Sequence, residues 1–132
     1  VDQLPETELD TATYYGRVFA RTGGLSEAVT EAVREQKAAA EAAEANGAAK
    51  TSAESDDEPF EFNPIICDGI DNCKTALLRA SKGLLPNNFI EGMVCTDGCI
   101  GGAACLSHGN ADKRAIDNYG KKATHKEIRE VL

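Results

Sequence analysis

Five cysteines, Cys67, Cys73, Cys95, Cys99 and Cys105, are the side chains of this sequence with the most chemistry to offer. Three of them fall within eleven positions. Cys95 and Cys99 enclose Thr96, Asp97 and Gly98, a C-x-x-x-C spacing that differs from the C-x-x-C of zinc knuckles and redox dithiols. The odd count does not suit a secreted disulfide framework, so the thiols are expected to be reduced or metal-bound. Two soft thiolates with Met93 just before them and Gly101 and Gly102 just after suit an iron–sulfur cluster. Backbone N–H groups of a glycine-rich turn spread the negative charge of such a cluster. On spacing alone, two small core residues fit the pattern equally well.

The cysteine loop has to be positioned by the chain ahead of it. Phe60, Phe62, Ile65 and Ile66 form a short apolar run that reads as a strand. Gly69 and Asp71 follow as turn and N-cap candidates, and Ala76, Leu77 and Ala80 give a helical stripe closed by Gly83. Phe89-Ile90-Glu91-Gly92-Met93-Val94 reads as a second strand. Strand, helix and strand within about 35 residues make a βαβ unit, so the strands are predicted to be parallel. Ligands of open α/β sheets sit beyond the carboxyl ends of the strands, where Cys95 to Cys99 lie. Upstream, Thr22-Gly23-Gly24 breaks the chain. Leu25, Ala28, Val29, Ala32 and Val33 then recur at helical spacing, with an Ala/Glu-rich tail expected to stay helical to about Asn46. Residues 46–59, NGAAKTSAESDDEP, read as a mobile acidic surface loop. Beyond Cys105 the chain is polar and predicted helical. Asp112 is a cap candidate for a helix carrying Ala115, Ile116 and Tyr119, and Thr124 with Glu127 forms a capping box ahead of Ile128, Val131 and Leu132. The predicted fold class is α/β, a small mainly parallel sheet with flanking helices, in one unit spanning 1–132.

Composition narrows the functions available. A length of 132 residues suits one domain, and 42% hydrophobic residues exclude wholesale disorder. There are 22 acidic against 14 basic residues, a net charge of −8, and no block of Lys and Arg. Nucleic acid and anionic lipid are therefore not expected partners. No apolar run reaches the roughly 18 residues of a membrane helix, and Val1-Asp2-Gln3-Leu4 lacks the basic start of a secretory signal. A cytoplasmic location is expected.

The stretch Phe89-Ile90-Glu91-Gly92-Met93-Val94-Cys95-Thr96-Asp97-Gly98-Cys99-Ile100-Gly101-Gly102 resembles the third H-cluster motif of the [FeFe]-hydrogenases, approximately F-x-E-x-M-x-C-P-G-G-C-x-x-G-G. Two more segments agree in order and distance. Val18-Phe19-Ala20-Arg21-Thr22-Gly23-Gly24-Leu25-Ser26-Glu27-Ala28 is similar to the family's I-F-G-x-T-G-G-V-M-E-A. Cys67-Asp68-Gly69-Ile70-Asp71-Asn72 with Leu77-Leu78 is similar to its V-x-G-x-x-N-A-x-x-L-L. The resemblance implies that Cys95 and Cys99 ligate a [4Fe–4S] subcluster and that Cys99 bridges to a diiron subcluster, the two together forming the H-cluster. It implies that Met93 packs beside the diiron unit and that Phe19 belongs to the apolar wall of the cofactor pocket. It implies a parent that interconverts protons plus electrons with dihydrogen, fed by a ferredoxin or an accessory iron–sulfur domain, in an anaerobe.

The departures are specific. Thr96-Asp97 stands where the family has Pro-Gly, and Ala20 and Arg21 replace small residues near the cofactor wall. Asp97 brings a carboxylate toward an anionic cluster, unfavourable unless it turns to solvent or a cation. The family's other two cysteine motifs, T-S-C-C-P and M-P-C-x-x-K, do not occur in the sequence. The chain is therefore expected to be the C-terminal lobe of an H-cluster domain, inactive and without cofactor on its own, and partnered by the N-terminal part. With that part absent, Phe19, Met93 and the strand ends near Cys95 are expected to be exposed, an invitation to self-association. The alternative is a non-catalytic hydrogenase-like [4Fe–4S] sensor or cluster-assembly protein, which Thr96-Asp97 favours. The remaining residues have plainer readings. Cys67 and Cys73 are expected to be buried small residues, Cys105 likewise or beside the loop, and His108 and His125 surface residues. Met93 and Phe19 also fit simple core packing. Glu91 is read as pairing with a basic group of the N-terminal part or as catalytic.

Overall fold

The computed structural model describes residues 12–45 and 60–131. The proposed acidic loop at 46–59 lies outside the described residues. In chain order the elements are α1 (Tyr14–Arg17), α2 (Gly24–Ala45), β1 (Pro64–Asp68), α3 (Ile70–Ser81), β2 (Phe89–Met93), a 3-10 turn (Cys99–Gly101), α4 (Asn110–Lys121) and a second 3-10 turn (Ile128–Val131). No helix among the described residues is long and apolar enough to cross a membrane.

The predicted βαβ unit is present. β1 and β2 pair in parallel, with Pro64 opposite Phe89 and Asp68 opposite Met93. The first strand begins at Pro64, so Phe60 and Phe62 lie ahead of it. The Asn63 N–H goes to the Asn88 side chain instead of a strand partner. The connecting helix α3 starts directly after Gly69 and ends in a Schellman closure. Leu84 N–H reaches Arg79 O, Gly83 N–H reaches Ala80 O, and Gly83 takes the left-handed conformation. Cys67, Cys73 and Ala76 are buried between strand and helix, with Ile65 and Ile90 packed against them. The small Cys73 side chain lets α3 lie close to the sheet, its thiol facing the Cys67 and Met93 carbonyls at 3.6 Å.

Helix α2 follows the Thr-Gly-Gly break, as its spacing predicts, and ends at Ala45. The short α1 ahead of it has no apolar periodicity and is marked only by Thr13, whose hydroxyl caps the Gly16 N–H. The tail departs from expectation. Helix α4 begins after Gly109, and Asp112 sits in its first turn accepting from the Ser107 hydroxyl. The expected C-terminal α-helix is one 3-10 turn, whose leading N–H groups are capped by side-chain carboxylates. Lys126 and Glu127 donate to Glu130, while Ile128 and Arg129 donate to Glu35 on α2.

Candidate functional site

The site grows from the carboxyl ends of the two strands. Glu91 lies in the middle of β2, with 1% of its surface exposed. Its carboxylate accepts from Gly23 N–H and Ser26 N–H, each at 2.8 Å. These are orphan donors of the first turn of α2, so a strand side chain caps a helix and places a negative charge at its positive end. Gly24 is required beside this cap, because a Cβ there would lie 2.1 Å from Val18 O. Among the described residues the partners of Glu91 are backbone N–H groups of Gly23 and Ser26, which satisfy its buried carboxylate.

At the end of β1, Asp68 Oδ1 accepts from the Thr22 hydroxyl at 2.7 Å and from Asp97 N–H at 2.8 Å. Three further backbone contacts bind the cysteine loop to the segment before α2. Thr22 N–H donates to Asp97 O, Ile100 N–H donates to Ala20 O, and Arg21 forms an antiparallel bridge with Gly98. The loop is also wound on itself, with Gly98 N–H on Cys95 O and Gly102 N–H on Cys99 O. Gly101 cannot be replaced in this winding, since a Cβ would stand 1.8 Å from Thr96 O. The small residues after Cys99 thus admit the chain's own backbone.

Cys95 and Cys99 are both exposed and free of disulfides. Cys105 is half-buried and its thiol points at Cys99 O, 3.0 Å away, which puts it against the loop. Cys67 and Cys73 are buried, and burial followed by the neighbouring Cys73 pushes the Cys67 thiol up. Phe19 is 46% exposed and Val94 is 65% exposed, whereas Met93 is half-buried. Among the described residues no group of three or more His, Cys, Asp and Glu side chains forms a metal site. Two soft, accessible cysteine sulfurs on one loop fit part of an iron–sulfur ligand set, and a cubane normally takes four.

Two departures resolve in the geometry. Asp97 has φ 67°, in the left-handed region, and its side chain is exposed. Asp is among the few side-chain-bearing residues that adopt this conformation readily, which lets it occupy a place that suits glycine. Arg21 belongs to an ion cluster. It reaches Glu27 at 2.8 and 2.9 Å, Asp117 at 2.6 Å and the Tyr14 hydroxyl at 3.4 Å. Burial alone lowers the affinity of the guanidinium for its proton, but hydrogen bonds from Glu27, Asp117 and Tyr14 outweigh it and the net shift is upward. The sequence did not mark Asp68 as functional, because a lone Asp before a glycine reads as a turn residue. Its role depends on two segments, about 29 and 46 residues distant.

No curated protein matches the chain. A family description, iron only hydrogenase large subunit, C-terminal domain, matches residues 1–103, a span that includes the turn, both strands and the complete cysteine loop. By that match, the chain belongs to the family defined by the C-terminal domain of the iron-only hydrogenase large subunit.

Proposed function

We propose that this chain is the C-terminal, cysteine-bearing lobe of an [FeFe]-hydrogenase, in which Cys95 and Cys99 supply two of the four thiolates of a [4Fe–4S] subcluster and Cys99 also reaches the diiron unit. The observation that carries this reading is the pair of exposed, free thiols on one strapped loop at the carboxyl end of β2, inside the matched span. When bound, the cluster supplies the interconversion of protons plus electrons with dihydrogen. The chain's own contribution is positional. Asp68 and Glu91 fix the loop and the turn beneath it, and the exposed Phe19 and half-buried Met93 offer apolar surface to a cofactor and its covering lobe. Such surface limits solvent access around a metal centre. The remaining thiolates and the proton path belong to a segment carrying T-S-C-C-P and M-P-C-x-x-K. Electrons arrive from a ferredoxin or an accessory iron–sulfur domain in the cytoplasm, and the 132-residue chain alone does not turn over hydrogen.

The exposed Asp97 carboxylate beside the loop favours a second reading, a non-catalytic relative that holds a plain [4Fe–4S] cluster for sensing or cluster assembly. Anaerobic reconstitution with iron and sulfide, followed by iron counting and EPR, tests both. It is done on this chain and on this chain joined to a segment with the two further cysteine motifs. A cubane signal only in the joined protein, lost in Cys95→Ala and Cys99→Ala, supports the shared site. A diiron signature, sought after a preformed diiron complex is also supplied, separates the catalytic from the sensory reading. A stable cluster on the 132-residue chain alone overturns the proposal.

A further inference from the structure

We propose that Asp68 is the positioning residue of the cysteine loop, a single acceptor that sets where Cys95 and Cys99 are presented. One oxygen of its carboxylate holds two otherwise separate segments, the Thr22 hydroxyl at 2.7 Å and the Asp97 N–H at 2.8 Å. Asp97 lies midway between the two cysteines. Its φ of 67° lies in the left-handed region, which Asp can adopt but does not prefer, so the bonds made by the loop select it here. Asp68 accepts one of those bonds from a rigid place. It closes β1, directly opposite Met93 on β2, and the next residue's N–H, from Gly69, donates to Met93 O at 2.8 Å. Thr22 completes the link, since its own N–H donates to Asp97 O at 3.3 Å. The backbone and the side chain of Thr22 therefore reach the same loop by two routes, one direct and one through Asp68. The Thr22 turn is anchored in turn by Glu91, so the cysteines are fixed to both strands. Hydrogen bonds with an ionised acceptor are about twice as strong as neutral ones, which makes this a firm fastening for an exposed loop.

The importance of the loop rests on the hydrogenase reading, but the fastening is a property of this chain and is tested without a cluster. The experiment follows residue-resolved hydrogen exchange at the Asp97 amide and the alkylation of Cys95 and Cys99 by iodoacetamide. Wild type is compared with Asp68→Ala, Asp68→Asn and Thr22→Val, and circular dichroism checks the fold. Asp68→Ala loses both bonds. Its Asp97 amide is expected to exchange about tenfold faster or more, and the two cysteines to alkylate several-fold faster. Asp68→Asn keeps an oxygen at the same place without the charge and is expected to restore part of the protection. Thr22→Val loosens one arm and falls between the two. Wild-type exchange in Asp68→Ala overturns the proposal, as does an Asp68→Asn protein no better protected than Asp68→Ala. If Asp68→Ala does not fold, Thr22→Val decides, and unchanged exchange at Asp97 overturns the clamp. A clamp that passes while no cluster forms in any joined protein removes the hydrogenase reading and leaves the clamp standing. A cluster that forms while the clamp fails does the reverse.

Discussion

The cysteine half of the molecule and its C-terminal tail are both fastened by polar groups, but in different proportions. Around the cysteine loop, buried or strand-borne carboxylates accept backbone N–H groups. Glu91 takes two from the start of α2, and Asp68 takes one from the loop together with the Thr22 hydroxyl. In the tail the carboxylates of Glu35 and Glu130 also accept backbone N–H groups, and ion pairs and a ring contact are added to them. Arg21 meets Asp117, Arg17 lies 4.7 Å above the Tyr119 ring, and Arg129 sits 3.7 Å from Glu35. A carboxylate fed by backbone donors fixes the position of main chain directly, whereas an ion pair between long side chains acts on it only through those side chains.

Apolar burial does not compensate in either region. Among the described residues the buried hydrophobic ones are Val18, Ala28, Cys67, Cys73, Ala76 and Ala123, mostly small, while Leu77, Leu78 and Leu84 are exposed. The largest effect is therefore expected at Glu91. Glu91→Ala leaves two buried N–H groups unsatisfied at the head of α2 and is expected to cost about 3 kcal/mol, enough to abolish a cooperative melt in a chain of this core size. Glu91→Gln retains one acceptor oxygen and falls between. A Glu91→Ala protein that melts within about 0.5 kcal/mol of wild type would remove the distinction between the two regions.

The same contrast ranks the thiols. Burial holds the Cys67 thiol protonated, with Cys73 adding to the shift, while Cys95 and Cys99 face solvent. Because the thiolate is the nucleophile, alkylation at neutral pH should modify Cys95 and Cys99 about a hundredfold faster than Cys67 and Cys73. The thiol of Cys67 is raised in the folded state, so its contribution to stability is complete below the ordinary thiol range and is lost as pH rises through the folded value. Peptide mapping by mass spectrometry reads the order. Equal rates at all four cysteines would mean that the β1–α3–β2 core opens as readily as the loop.

How much of the molecule is legible in its sequence depends on the distance over which each contact acts. The βαβ unit was legible because apolar runs, a glycine stop and helical spacing are local signals. The cysteine pair stands out in the sequence because its motif is local too, and the structure places both thiols exposed on the loop after β2. The roles of Glu91, Asp68 and Arg21 were not legible. Each is a polar residue whose partners are distant in the chain, and local patterning carries no record of such pairings. The tail misled for a related reason. Thr124 and Glu127 have a capping-box spacing, but Glu35 of α2 supplies the acceptor for Ile128 and Arg129, and the turn closes as 3-10. Apolar character also misleads in α3, where Leu77, on the predicted stripe, and its neighbour Leu78 remain exposed.

Acid should act on the tail and on the surface of α2. The Glu31 carboxyl is held below the usual range by the Arg34 guanidinium, against the pull of burial. That of Glu130 is held down by the N–H groups of Glu127 and Lys126. Both folded values are depressed, so the stability they contribute is present above about pH 4.3, the unfolded Glu value, and is lost as pH falls through the folded values. In an NMR titration the Lys126 and Glu127 amides should follow Glu130 and move only below the ordinary carboxylate range. Movement at the ordinary value would show that the 3-10 turn is not held by this carboxylate.

The smallest expected effect is at Asp97, and it separates backbone cost from electrostatic purpose. Its φ of 67° costs a side-chain-bearing residue conformational energy that glycine is spared, but glycine also gives the unfolded chain more freedom. The two nearly offset, so Asp97→Gly is expected to change stability by about 0.5 kcal/mol or less. Asp97→Ala keeps a Cβ without the local hydrogen-bonding capacity that eases Asp into this region, and should destabilise by about 1 kcal/mol. The Asp97 N–H survives in both variants, so the bond to Asp68 remains available and neither should loosen the loop as Asp68→Ala does. If Asp97→Gly instead destabilises by more than Asp97→Ala, the exposed carboxylate itself holds the loop, and the fastening of the cysteine half would then resemble the ion-paired part of the tail.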